Sequence, residues 1–150
     1  MEPENQQNGE IKMIRELMHD PVFLACASED ASAEDAGTVK DLLDTLTAHH
    51  ERCVGMAANM IGVRKRVIAF VCEDGTYMTM LNPVILKKEK PYDTEESCLS
   101  LLGGSRPCRR WKKIRVQYHT PEMKLRIRTF EGWTAQIIQH EIDHCSGVLI

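Results

Sequence analysis

The chain has 150 residues, 43% of them hydrophobic and 27% charged. That composition is ordinary for a globular protein and the length is enough for one buried core, which excludes a largely disordered chain. Lysine and arginine total 19 against 22 acidic residues, a net charge of −3, so no global field draws the chain to nucleic acid or to an anionic membrane. No apolar run approaches the ~20 residues of a spanning helix. The reading is therefore of a protein with no membrane and no sequence-specific nucleic-acid partner.

Residues 1–10 are polar and acidic, unlike an export signal, and read as a disordered leader to a single catalytic domain over 11–150. Ile11, Ile14, Leu17 and Met18 fall at helical spacing, and Asp20-Pro21 is expected to end that short helix. After an acidic loop over 29–37, a second helix is expected over 38–51. Its apolar stripe is Val39, Leu42, Leu43 and Leu46, with Thr38 and Asp41 as capping box. The pair His49-His50 closes that helix as a solvated cap.

The pattern then changes to strands. The continuous apolar run 67–72 predicts a strand buried on both faces, and Asp74-Gly75 turns it into a partner over 77–81. Asn82-Pro83 is expected to punctuate before a further strand at 84–86, with a solvated loop around Asp93 and Glu95. Ile114, Val116 and Tyr118 alternate with polar residues, as do Met123, Leu125, Ile127 and Thr129, predicting a hairpin through Thr120-Pro121. A last helix runs from Trp133 to about Ser146 and is closed by Gly147. The fold class is α+β, with antiparallel or mixed sheets around the C-terminal helix.

That helix carries the chemistry. Residues 140–144 read His-Glu-Ile-Asp-His, an HExxH motif. Residues four apart share a helix face, so His140 and His144 can present two imidazoles to one metal ion, with Glu141 able to reach a water on that ion. With 6 histidines in the chain, the chance expectation for the motif is only about 0.02. The bland alternative is a surface helix with two unrelated histidines, but Trp133 and Ile137 place apolar groups on the same face. Two histidines need a third ligand. Few residues follow His144, so the candidates lie upstream: Cys98, Glu95 or Glu96, His119, and His49-His50.

Three segments resemble the signatures of the peptide deformylase family. Residues 96–100, Glu-Ser-Cys-Leu-Ser, are similar to Glu-Gly-Cys-Leu-Ser, with Ser97 in place of glycine. Residues 139–144, Gln-His-Glu-Ile-Asp-His, match Gln-His-Glu-x-Asp-His. Residues 54–62, Val-Gly-Met-Ala-Ala-Asn-Met-Ile-Gly, resemble Val-Gly-Leu-Ala-Ala-Pro-Gln-Ile-Gly. The resemblance covers about residues 11–150, as in members without a C-terminal tail. It implies a peptide-deformylase-like fold with one ion per chain on Cys98, His140 and His144 and water in the fourth position. Fe2+ or Zn2+ is the implied ion, with Ni2+ or Co2+ able to substitute.

The implied reaction removes the formyl group of an N-formylmethionyl peptide as formate. Glu141 serves as general base and then acid, and the backbone N–H of Leu99 faces the oxyanion. Gly55, counted with the catalytic set, and Val54 lie along the peptide. Met56 and Met60 read first as core filler and alternatively as lining, with Trp133 and Ile137, an apolar pocket for the methionine side chain, and Glu96 stands beside the ligand cysteine. The implied setting is a cytoplasmic monomer.

Met60 departs from the family pattern, standing where a glutamine would donate to the oxyanion. A thioether cannot donate, and Asn59 is the candidate replacement. Ser97 and Leu102 are milder departures. The alternative this raises is a degenerate relative that binds metal or formyl peptide with little turnover. Two further rivals are a general HExxH peptidase and a structural zinc module.

Residues 106–113 carry five positive charges, at Arg106, Arg109, Arg110, Lys112 and Lys113. They read first as the exposed start of a strand and second as a contact with the ribosome. The six cysteines, Cys26, Cys53, Cys72, Cys98, Cys108 and Cys145, show no Cys-x-x-Cys pair and read as reduced thiols. Among them Cys145, beside His144, is expected to be the neighbour of concern if the site oxidises.

Overall fold

The structure, a computed structural model, describes residues 6–7, 10–101 and 104–150. Gln6–Gln7 (β1) pairs antiparallel with Glu10–Ile11 (β2). The rest of the expected leader, 1–5 and 8–9, and Leu102 lie outside the described residues.

The helix expected up to Asp20 does not form. Its backbone donors are taken by distant partners instead: Met13 N by the Asp44 carboxylate at 3.0 Å, Arg15 N by the Thr45 hydroxyl at 2.9 Å, and Met18 N by the Met60 carbonyl at 2.7 Å. Asp20-Pro21 begins a helix rather than ending one. The Asp20 carboxylate accepts from Val22 N at 3.0 Å and Pro21 sits at the first position of Pro21–Leu24 (α1), where a missing N–H costs nothing.

The second helix, Ala36–Ala48 (α2), starts two residues before the expected Thr38, because Ser32 and Asp35 form the capping box of a 3-10 turn, Ala33–Asp35, that runs into it. Asp41, expected in that role, instead pairs with Arg15 at 2.7 Å. Val39, Leu42 and Leu46 are buried as the stripe requires. His49 and His50 bond the last carbonyls through Nδ1, at 2.9 Å to Thr45 O and 3.0 Å to Thr47 O, so both are caps.

Gly55–Ala57 (β3) leads through a 3-10 turn, Ala58–Ile61, to Val67–Val71 (β4). The turn at Asp74-Gly75 returns the chain as Tyr77–Glu96 (β5). Here the expectation of a break at Asn82-Pro83 fails. Asn82 adopts φ +54°, its side chain clamps the N–H and C=O of Ala31 at 2.7 and 2.9 Å, and the strand continues past two register shifts. It runs through Asp93 and Glu95, where a loop was expected, because each pairs with Arg106–His119 (β6). Met123, at φ +64°, belongs to the turn before Leu125–Glu131 (β7), which completes the predicted hairpin.

The sheet order is β3-β4-β5-β6-β7, antiparallel throughout. The last helix is Gly132–Cys145 (α3). Gly147, at φ +80°, lets the chain pass Ala25, whose carbonyl oxygen would stand 2.5 Å from any Cβ.

The apolar run in β4 now has its cause. Val67 and Ala69 join the α2 cluster with Leu42, Leu46 and Met56, while Ile68 and Phe70 join the α3 cluster with Ile114, Val116 and Ile138. Each fully buried aliphatic side chain contributes roughly 1.5–3 kcal/mol by leaving water. The first cluster holds α2 against the sheet and the second holds α3, which carries the site. Among the described residues no helix is long and apolar enough to cross a membrane.

Candidate functional site

Two residues after β5 ends, Cys98 brings its sulfur to the face of α3 on which His140 and His144 sit one turn apart. One donor atom from each of the three lies within 4.8 Å of the others. The two imidazoles meet with Nε2 atoms 3.0 Å apart. His140 Nδ1 is engaged by Glu96 Oε1 at 2.7 Å. That bond fixes the tautomer that points a free Nε2 lone pair toward His144.

At 3.0 Å the Nε2–H of His144 can donate to the His140 lone pair, and an ion that displaced that proton would take both nitrogens as ligands. Around one tetrahedral ion, nitrogens at ~2.0–2.1 Å stand about 3.4 Å apart, and a soft sulfur with two imidazoles is a set that Zn2+ or Fe2+ accepts. The residues fit a metal ion. Burial opposes charge on both rings; hydrogen bonds from Cys98 and Glu96 outweigh it at His140 and push that ring up, whereas burial and the neighbouring His140 push His144 down.

Glu96, at the end of β5, is the hub behind the ligands. Its carboxylate receives Arg110 Nη2 at 2.8 Å and Nε at 3.0 Å, Gln136 Nε2 at 2.9 Å, and His140. Arg110 also reaches Asp143 at 2.7 Å. Burial would raise the Glu96 carboxyl, but the bonds from His140, Arg110 and Gln136 outweigh it and hold it well below the usual range. Gln139 ties α3 to β6 by accepting from Trp111 N at 2.9 Å and donating to Trp111 O at 2.8 Å.

Glu141 is buried beside the ligands, with Oε1 lacking a partner. Burial pushes its carboxyl up to about 7, partly offset by His140. A Cβ on Gly55 would stand 2.9 Å from Glu141 Oε2 and 2.8 Å from Ile137, so only glycine lets β3 pass this close. Val54, Gly55, Met60, Trp133 and Ile137 line a cleft of about 330 Å3, together with Glu96, Cys98 and Leu99.

Met56 does not line it. The strand's alternation turns it into the α2 cluster, fully buried. Asn59 is likewise no replacement for an oxyanion donor: it is fully buried and its Nδ2 is committed to the His144 carbonyl at 2.9 Å. His119 and His49-His50 are not part of the ligand cluster.

Arg110 was missed in the sequence because it lies in a basic run. It shares strand parity with Ile114, Val116 and Tyr118, the core-facing residues of β6, and that parity was the available signal. Cys53 was also missed. It lines the cleft and bonds the Gly55 carbonyl at 2.9 Å. Cys145 is instead buried in the core, its thiol pushed up to about 12 by burial, so the cysteine neighbouring Cys98 in the cleft is Cys53. All six cysteines are free.

A helix-borne pair of imidazoles, a cysteine sulfur from a strand end and a buried carboxylate next to them define a metal-dependent hydrolase. The polypeptide deformylase profile matches residues 12–150, and the chain belongs to that family. It is 50% identical to a peptide deformylase of Clostridium beijerinckii over 92% of this chain and 100% of that one, and 36% identical to one of Pseudothermotoga lettingae over 93% and 80%. Among solved structures, peptide deformylase from Thermus thermophilus superposes with TM-score 0.81 at 29% identity, covering 91% of this chain and 83% of that one. A Met-Ala-Ser-bound class I type b peptide deformylase from Acinetobacter baumannii superposes with TM-score 0.79 at 25% identity, covering 91% and 95%.

Proposed function

We propose that this enzyme removes the formyl group from N-formylmethionyl nascent peptides, with Cys98, His140 and His144 holding one divalent ion, Fe2+ or Zn2+. The observation that carries the reading is the buried, unpartnered Oε1 of Glu141 beside the three-ligand cluster, at the end of a cleft lined by Met60, Trp133 and Ile137. The Met-Ala-Ser found with the Acinetobacter baumannii relative is the peptide such a reaction would leave.

When bound, the ion supplies the Lewis acidity that makes water nucleophilic near neutral pH. The chain supplies the rest. Glu141 takes the proton from the attacking water and returns it to the amine as the carbon–nitrogen bond breaks, so water and formyl peptide become formate and a free amino terminus. Burial raises its carboxyl above the usual carboxylate range, the direction that lets one group both take and return a proton. Leu99 N–H faces the developing oxyanion, and Gly55 gives the peptide backbone room to lie along β3. Trp133, half exposed at the rim, and Ile137 exclude water from the methionine side chain. Formylated chains are made in the cytoplasm, where this reading places the enzyme as a monomer, with the basic residues around Arg109 as the ribosome-facing candidates.

The test uses ferrous protein with formyl-Met-Ala-Ser and with an unblocked peptide. Formate from the first and no cleavage of the second supports the proposal. Internal cleavage of the unblocked peptide would support the general peptidase.

A further inference from the structure

Met60 lies in the 3-10 turn Ala58–Ile61, is 1% exposed, and places Sδ 4.0 Å from Cys98 Sγ. It faces the cleft that also contains His140 and Glu141. Met60 is a buried member of the cluster around α2, Cys98 packs against that cluster, and the two sulfurs are in direct contact there. Two sulfurs each ~2.3 Å from one tetrahedral ion are separated by about 3.8 Å, close to the 4.0 Å here. On the other side the imidazole nitrogens face one another at 3.0 Å. The neighbouring amide of Asn59 is tied to the His144 carbonyl, so the thioether is what this turn offers the site.

We propose that Met60 Sδ is a fourth, soft donor, which with Cys98, His140 and His144 holds monovalent copper in a closed shell of two nitrogens and two sulfurs. The inference rests on the three-ligand metal site proposed above and adds a residue to it. Thiolate and thioether sulfur favour Cu(I), whereas a thioether is a poor ligand for harder divalent ions. Fe2+ or Zn2+ therefore leaves the fourth position to water, and Cu(I) closes it. The same four side chains distinguish a hydrolytic from a silent metal form.

The experiment loads metal-depleted full-length protein anaerobically with one equivalent of Cu(I) or of Zn(II), in the wild type, Met60→Leu and Cys53→Ser. Copper X-ray absorption is expected to show two sulfurs in the wild type and in Cys53→Ser, and one in Met60→Leu. Competition against a chromophoric chelator should show Cu(I) affinity reduced by roughly tenfold or more in Met60→Leu, with Zn(II) affinity within about threefold. A single sulfur in the wild type overturns the proposal, as do two retained in Met60→Leu or lost in Cys53→Ser. An unchanged Cu(I) affinity in Met60→Leu also overturns it. If Met60→Leu loses zinc as well, the sulfur counts of the wild type and Cys53→Ser decide. Failure of the wild type to bind zinc at all overturns the three-ligand site itself, and this proposal with it.

Discussion

His140 donates through Nδ1 to Glu96 at 2.7 Å, and that bond decides which nitrogen faces His144 and Cys98. The same carboxylate receives two nitrogens of Arg110, itself 4% exposed, so the orientation of a ligand is anchored in a buried ion pair spanning β5, β6 and α3.

Glu96→Ala would leave the guanidinium of Arg110 with Asp143 and the Arg109 carbonyl, its Nε and Nη2 without the carboxylate, and would free the His140 ring. Breaking a buried pair from one side costs about 3 kcal/mol or more, and losing a ligand's outer partner weakens metal binding roughly 10- to 100-fold. Urea denaturation and a zinc competition titration check the two effects separately.

Gly55→Ala would put a methyl group 2.9 Å from Glu141 Oε2 and 2.8 Å from Ile137. The carboxylate must move, and a ~1 Å displacement of a catalytic group costs on the order of 10²-fold in rate. Expected is a kcat lower by about that factor with one ion still bound, read by steady-state kinetics and metal analysis on the same sample. A kcat within a few-fold of wild type would mean that the helix yields without disturbing the base.

Gln139→Leu would leave the N–H and C=O of Trp111 without the amide that now serves both. Unmet buried groups cost about 1–3 kcal/mol each, so a drop of that size in unfolding free energy is expected. Neither atom touches the cleft, so the zinc stoichiometry should stay at one per chain.

Met60→Gln would place an amide donor where a thioether now stands, and Asn59, held by the His144 carbonyl, offers none. A single oxyanion donor is worth up to about 10²–10³ in rate. A several-fold or larger rise in kcat on formyl-Met-Ala-Ser is expected, and no rise would show that this position does not limit the reaction.

The elements with a periodic apolar signal were legible in the sequence: β4, the β6–β7 hairpin, and α3 with its two histidines at one-turn spacing. Cys98 was reached through the segment around it, not through periodicity. What was not legible depended on partners far away in the chain. Residues 12–20 have helical spacing but spend their N–H groups on Asp44, Thr45 and Met60. Asn82 continues a strand because Ala31 offers its side chain two bonds. Met56 carried two readings, core filler and cleft lining, and strand alternation decides for the core by sending it to the face away from the cleft. Arg110 was hidden in a run of five positive charges, although its parity with Ile114 marked it as core-facing.

The most direct test of the central claim is formate release from formyl-Met-Ala-Ser as Fe2+ is titrated into metal-depleted protein, wild type beside Glu141→Ala. Wild-type turnover should rise to a plateau at one ion per chain, while Glu141→Ala binds the ion and releases no formate. Turnover that Glu141→Ala retains, or that proceeds without the ion, would contradict the account.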